Sequence, residues 1–368
     1  MTLTALLAQL RDCATRPLEQ ALAMPPGVYT SQAFLALELE NIFQLEWHCV
    51  GRDRELPTTG DYLTLEIADE PILVIRDDTG AIRAFSNVCR HRMSRLLDGS
   101  GCATRITCPY HAWTYDLDGR LVAAPFMGKD FEMTTYRLPE LPVEVWEGWI
   151  YVTLNDRAPP LGQRLEGLRK ALANYRMSDY EPLFRVDECW DTNWKCLVEN
   201  FIDAYHLFKV HATTVEPALP TRLVRCVPGG DAYNLFFQFR VADAAFEYDK
   251  ELPAFNESLT EEERRKYPLT CVYPAHLIAV SPDRLFWMSV RPHGTGQTKV
   301  RWGVDVLPGV VSEGTEGERR ARQLRRAFDG INTEDKHILT PVRRNAESVY
   351  AVPGPLAPQE RSIWEFSR

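Results

Sequence analysis

The chain has 368 residues, 45% of them hydrophobic, and a net charge of -9. That length and apolar content can fill more than one core, and the acidic balance leaves no basic footprint for nucleic acid or an anionic membrane surface. No apolar run reaches the roughly 18 residues of a membrane span, and the opening "MTLTALLAQLRDCATRPLEQALAM" lacks a basic start and a long apolar signal core, so a cytoplasmic protein whose nine cysteines are thiols or ligands is expected.

In chain order, "SQAFLALELENIFQLEW" (31–47) spaces apolar residues helically behind a Ser cap and predicts one helix. From 48 the pattern becomes short β-rich runs bounded by Gly, Asp and Pro, as in "YLTLEIADEPILVIRDDTGAIRAFSNV" and "VEVWEGWIYVTL". These predict a compact all-β unit over 48–155, with "NDRAPPLGQ" as a linker. Beyond it come a helix over 193–209, strand-like alternation in "YNLFFQFRV", "LFWMSVRP" and "VRWGVDVLP", and a charged helix from about 315. The expected fold class is α+β: an N-terminal segment (1–47) packing with the last unit, an all-β domain (48–155), and an α+β domain (156–368).

The stretch "CRHRMSRLLDGSGCATRITCPYHAWTYDLDG" (89–119) carries Cys89, His91, Cys108 and His111. Two cysteines and two histidines match a Rieske [2Fe–2S] cluster, in which each residue pair holds one iron. The same inventory suits a structural zinc. Zinc fingers usually pair Cys with Cys and His with His, whereas two Cys-to-His loops fit a cluster held between hairpins. Cys102, between the loops, reads as a buried thiol.

A second constellation lies in "NWKCLVENFIDAYHLFKVHATT". On an ideal helix Glu199, Asp203 and His206 fall within about 60° of one another, while His211 is about 140° from His206. Both histidines can bind one ion only if the helix ends or distorts between them. The two histidines could be unrelated residues near a helix end, but with acids beside them and the Cys–His loops upstream they read as ligands of one metal, which in the 2-His-1-carboxylate pattern takes a third, acidic ligand. In "RRAFDGINTEDKHILTPVRR", Phe328, Ile331, Ile338 and Val342 form an apolar stripe that skips position 335, which is Asp. An acid on such a stripe is costly unless coordinated, so Asp335 is the expected ligand, with Glu334 and Asp329 solvated and Pro341 kinking the helix end.

"CRHR" followed by "CPYHAWTYDLDGRL" resembles the Rieske non-heme iron oxygenases, the α subunits of aromatic ring-hydroxylating oxygenases and related demethylases, from about residue 25 to the end. The resemblance implies a helix-grip catalytic domain with an antiparallel sheet, and it puts the family's D-x-x-H-x-x-x-x-H pattern on Asp203, His206 and His211 and its acid on Asp335. It implies that Asp203 is an electron-transfer bridge between the iron ligand His206 and the cluster ligand His111 across a subunit boundary, hence a homotrimer. The implied cofactors are the [2Fe–2S] cluster and a mononuclear Fe(II), with O2 as co-substrate. No G-x-G-x-x-G fingerprint follows a strand, so no nicotinamide or flavin site of the chain's own is expected; the resemblance implies a separate reductase, with or without a ferredoxin, through which NAD(P)H acts only indirectly.

The implied reaction is hydroxylation or oxidative demethylation of a small molecule. The ending "GPLAPQERSIWEF" resembles the stand-alone α-subunit branch, which includes betaine and choline-like oxygenases and aromatic-acid enzymes. Aromatic faces would hold a quaternary ammonium by cation–π attraction, and an arginine such as Arg240 or Arg291 would hold a carboxylate. Trp287 reads as core, while Tyr205, Phe237, Tyr273 and Trp302 stay open between core and pocket wall. A Rieske electron carrier would need only 48–155, and a zinc-stabilised binding protein is the other alternative.

Overall fold

A computed structural model describes residues 2–241, 256–308 and 314–368. The chain divides into two compact units, Leu39–Gly162 and a second formed by the residues through Glu38 together with Gln163–Arg368.

The Leu39–Gly162 unit is built on β1 (His48–Arg52), β2 (Asp61–Ile67), β3 (Glu70–Arg76), β4 (Ile82–Ser86), β5 (Ser100–Cys102), β6 (Ile106–Thr107), β7 (Thr114–Tyr115), β8 (Leu121–Ala123), β9 (Glu140–Leu141), β10 (Val143–Trp146) and β11 (Trp149–Val152). They pair antiparallel in three sheets, ordered β5-β2-β3-β4-β9, β1-β11-β10 and β6-β7-β8. The β2–β3 turn places Ala68 and Asp69 at φ 47° and 67°, the left-handed pair that matches strand twist in a tight hairpin.

Side chains on β3 alternate between two cores, as the period of a strand dictates. Ile72 and Val74 join Leu63, Ile67 and Ile150, while Leu73 and Ile75 join Phe85, Trp113 and Tyr115. Burying each such aliphatic side chain stabilises by about 1.5–3 kcal/mol. The second of these cores also contains Cys89 and Cys108, so the cysteines stand on rigid packing. Gly119 (φ 87°) closes the turn below them, where an added Cβ would lie 2.8 Å from the Phe85 ring.

In the other unit, α1 (Leu3–Thr15), α2 (Gly27–Thr30) and α3 (Gln32–Glu38) precede α4 (Leu161–Arg164), which begins before Gln163, and α5 (Glu166–Ala171). The remaining helices are α6 (Trp194–Ile202), α7 (Leu207–Val210), α8 (Thr315–Asn345) and α9 (Arg361–Phe366). Seven strands form one antiparallel sheet: β12 (Glu181–Trp190), β13 (Arg225–Gly230), β14 (Tyr233–Phe239), β15 (Lys266–Val272), β16 (His276–Val280), β17 (Arg284–Pro292) and β18 (Thr298–Val306). The order β12-β18-β17-β16-β15-β14-β13 is a meander with the first strand returned to the far side of the last. Helix α6 packs on β15, β17 and α8, giving the α+β class expected from sequence.

Two predicted helices are shorter than their sequence patterns. Ser31 does cap the first, with its hydroxyl accepting from Phe34 N–H at 3.2 Å, but α3 ends at Glu38 and a π-type turn covers Leu39–Phe43. The helix expected over 193–209 stops at Ile202, because Asp203 is extended (φ -100°, ψ 119°). What fixes α6 is a buried ion pair: Lys195 Nζ donates to Glu38 Oε1 at 2.6 Å, inside a ring of Tyr29, Phe34 and Trp194. Burial pushes Lys195 down and Glu38 up, against their mutual attraction, a cost such pairs recover only with good geometry. Pro341 lies within α8, which continues to Asn345. No helix among the described residues is long and apolar enough to cross a membrane.

Candidate metal centres

The first centre rests on two loops of nearly the same construction. In one, the Cys89 carbonyl accepts from Met93 N–H and Cys89 N–H donates to the Ser94 carbonyl; in the other, Cys108 does the same with Ala112 and Trp113. Met93 and Ala112 are both left-handed, at φ 56° and 54°. Each loop thus curls back on its cysteine and presents a histidine beside it. The rings of His91 and His111 meet at 4.7 Å, and Trp113 stacks on His91 at 4.8 Å.

Burial opposes ionisation of Cys108, but backbone N–H groups of Tyr110 and His111 and the Cys89 thiol outweigh it, so the thiol lies below its ordinary range. Tyr115 brings its hydroxyl within 3.5 Å of Cys89 Sγ and accepts from Arg90 N–H. His111 Nδ1 is buried with no hydrogen-bond partner among the described residues. A buried ring nitrogen without a partner is costly unless it is coordinated, so the pocket fits a cluster ligated there. Cys102 is exposed, not buried as expected, with its thiol directed to the Thr59 carbonyl on the β2 edge; it stands apart from the ligand set.

The second centre forms where α6 breaks. The chain leaves the helix at Asp203 and re-enters for the single turn of α7, with His206 at its start and His211 at its end. This break removes the 140° separation that a continuous helix would impose. Asp335 on α8 completes the group: ligand atoms of His206, His211 and Asp335 all lie within 4.8 Å of one another. Asp335 Oδ1 is 3.1 Å from His211 Nε2 and 3.8 Å from His206 Nε2, and it accepts from Asn200 at 2.9 Å. Two imidazoles and one carboxylate converging on a point leave room for further ligands, the donor set of non-heme Fe(II).

Carboxylates hold both outer ring nitrogens. Asp203 Oδ2 lies 3.2 Å from His206 Nδ1, and Glu334 Oε2 lies 2.7 Å from His211 Nδ1 while accepting from the Thr214 hydroxyl at 2.7 Å. The expectation that Glu334 is merely solvated is therefore corrected. Such partners fix tautomer and orientation. Burial opposes a charged His211, yet Asp335 and Glu334 outweigh it and raise it above its ordinary range. Glu334→Ala is expected to weaken Fe(II) binding about 10- to 100-fold, read by anaerobic Fe(II) titration; unchanged affinity would remove Glu334 from the site.

Asp335 is buried as the stripe argument required, but Ile338 and Val342 are exposed; the buried face of α8 runs through Leu324, Phe328, Asn332, Asp335 and Leu339. Glu199 stays out of the metal group and accepts from Tyr29 Oη at 2.8 Å. Burial pushes its carboxyl up to about 7, with Tyr29 and Lys195 opposing and the charge of Asp203 adding.

A cavity of about 150 Å³ opens onto His206, His211 and Asp335 and runs between α6, α8 and the sheet. Phe286 lies at its middle, stacked on Phe328 (4.9 Å) and on Phe201 (6.4 Å). Trp287 is core, as expected, on the opposite face under Arg185. Tyr205, Phe237, Tyr273 and Trp302 do not line the cavity, and neither Arg240 nor Arg291 does. Among the described residues the arginine lining the cavity is Arg284, which the sequence pattern did not single out, while Arg240 donates to Tyr267 Oη in the wall at 3.5 Å.

A unit with twin cysteine–histidine loops and a sheet-and-helix unit holding a His–His–Asp group define a two-centre protein of the Rieske non-heme type. Residues 46–143 match the Rieske [2Fe-2S] domain, and 171–368 match the ring hydroxylating alpha subunit (catalytic domain). The chain belongs to the ring-hydroxylating α-subunit family.

Among relatives, it is 39% identical over 210 residues to the glycine betaine monooxygenase oxygenase subunit of Chromohalobacter salexigens, covering 56% of this chain and 47% of that one. It is 35% identical over 198 residues to the carnitine monooxygenase oxygenase subunit of Escherichia coli K12, covering 52% and 53%. These matches span about half the length of either relative. Among solved structures, a quaternary ammonium Rieske monooxygenase superposes with a TM-score of 0.82 at 25% identity, over 96% of this chain and 95% of that one. Naphthalene 1,2-dioxygenase from Rhodococcus sp. shares the fold, with a TM-score of 0.78 at 20% identity over 99% and 96%.

Proposed function

We propose that the chain is the terminal oxygenase component that hydroxylates or oxidatively demethylates a small quaternary ammonium compound, using O2 and electrons from a separate reductase. The observation that carries this is the His206–His211–Asp335 group facing a largely apolar cavity. When bound, a mononuclear iron there supplies oxygen activation, and a [2Fe–2S] cluster on Cys89, His91, Cys108 and His111 supplies single electrons.

The chain's own residues do the rest. Asp203 and Glu334 hold the two imidazoles so that both Nε2 atoms face the cavity, and Asn200 steadies Asp335. Phe201, Phe286 and Phe328 form a stacked aromatic wall that excludes water and packs beside a trimethylammonium group. Asp203 serves as the bridge to His111 of a neighbouring copy in a cyclic trimer. The working division is a Rieske domain over 48–155 and a catalytic domain over 156–368 with the N-terminal segment, in a cytoplasmic protein. The similarity to glycine betaine and carnitine monooxygenase subunits favours quaternary ammonium over aromatic substrates.

The test is an anaerobic single turnover. The purified protein is reduced chemically, offered trimethylammonium compounds and aromatic compounds, exposed to O2, and the products are identified by mass spectrometry. Formaldehyde, or a product heavier by one oxygen, from a trimethylammonium compound is the expected result. A cis-diol from an aromatic compound alone would replace the substrate class, and no product from any compound would overturn the reading.

A further inference from the structure

On the sheet side, the cavity wall is apolar except along one row, which the strand register identifies. Gln238 on β14 pairs with Tyr267 on β15. Leu269 on β15 pairs with Ala279 on β16, which pairs with Phe286 on β17. Two residues further along this register, Tyr267 comes level with Ser281, whose backbone N–H and hydroxyl both donate to the Arg284 carbonyl at 2.9 Å. Gln238, Tyr267, Ser281 and Arg284 therefore cross the sheet in one row, and all four are buried and line the cavity. Side chains alternate faces with period two, so Arg284 shares its face with Phe286 and the polar row borders the aromatic level directly.

A second observation comes from the helix wall. Asn332 on α8 is only 2% exposed and lines the same cavity, and its Nδ2 has no hydrogen-bond partner among the described residues. A buried donor left without an acceptor is costly, and the cavity is where an acceptor can arrive. Asp283 steadies the Arg284 guanidinium from the hairpin tip, Nη1 to Oδ2 at 3.3 Å. Both residues are buried, so the pair offsets part of the charge while leaving the rest of the guanidinium edge to the cavity side.

We infer that this row is the subsite for a substrate carboxylate. Arg284 supplies the charge and a planar donor fork suited to two carboxylate oxygens, and Gln238, Tyr267 and Asn332 supply further donors. The inference rests on the proposed oxygenase reading for its context and narrows the substrate to organic acids whose oxidised end lies away from the carboxylate. Trimethylammonium carboxylates and aromatic carboxylates share that chemistry, and the test separates them.

Equilibrium binding to the full chain is measured by titration calorimetry, without turnover, so that it stands apart from the oxygenase test. The probes are trimethylammonium carboxylates of increasing length, aromatic monocarboxylates, and the methyl ester and alcohol counterparts of each. The native chain is expected to bind the carboxylates of one series about tenfold or more tighter than their esters and alcohols. Arg284→Met should erase that preference while leaving ester and alcohol affinities unchanged, Arg284→Lys should restore part of it, and Gln238→Leu should weaken it in case Arg284→Met fails to fold. Equal binding of carboxylates and esters, a preference that survives both Arg284→Met and Gln238→Leu, or no carboxylate binding at all overturns the inference. A chain that binds carboxylates yet oxidises nothing sinks the oxygenase reading alone, and one that oxidises only compounds without a carboxylate sinks this one alone.

Discussion

Asp335→Ala and His206→Ala are each expected to abolish product formation while leaving the visible spectrum of the cluster intact. Asp335 sits 3.1 Å from His211 and 3.8 Å from His206, and no other carboxylate belongs to that ligand group among the described residues. Without it, two imidazoles remain, and neither Asp203 nor Glu334 can substitute, because each is already engaged with an outer ring nitrogen. Removing a supporting carboxylate typically costs 10–100-fold, so removing a direct ligand should cost at least about 100-fold in iron retention. Metal analysis should show one iron fewer per chain, with the two cluster irons kept, since Cys89, His91, Cys108 and His111 stand on the separate Leu73–Phe85–Trp113 core. A variant that kept full iron and turnover would remove the second centre from the proposal.

With Fe(II) supplied in excess so that both centres are loaded, Asp203→Ala is expected to slow electron delivery between them by about 10- to 100-fold. Its Oδ2 faces His206 Nδ1, and its Oδ1 accepts from Tyr205 N–H, which pins the carboxylate at the point where α6 gives way to an extended residue. The reading is the rate of cluster reoxidation in a single turnover with substrate and O2, taken beside the iron content. Unchanged reoxidation would dismiss the bridge. Loss of iron with no change in reoxidation per loaded site would reduce Asp203 to a residue that only orients His206. Asp203→Asn keeps an acceptor for the ring N–H, and recovery of iron binding without recovery of rate would separate orientation from electron transfer.

Local spacing made much of this legible. The Cys-x-His and Cys-x-x-His pairs lie in short loops of fixed construction, so the four ligands proposed for the cluster stand out in the sequence. Asp335 was also legible, since a buried acid on a helix needs a partner, although half of the stripe used to find it proved exposed. Glu334 was missed because its neighbour in sequence was given the ligand role, and its own role depends on where α7 puts His211. Arg284 was missed for a related reason: nothing in "SPDRLFW" says that its side chain points into a cavity rather than to water.

Residue types a few positions apart, read with the periods of helix and strand, were enough to mark the two Cys–His loops, the His206–His211 pair, the all-β and α+β character of the two units, and the Ser31 cap. The tertiary structure decided the rest. The end of α6 at Ile202, the 123-residue separation between His211 and Glu334, and the polar row from Gln238 to Arg284 depend on packing and register between segments distant in the chain. A break in a helix forgoes backbone hydrogen bonds, and nothing within a few residues of Ile202 announces that His206 and His211 will meet carboxylates from their own segment and from α8.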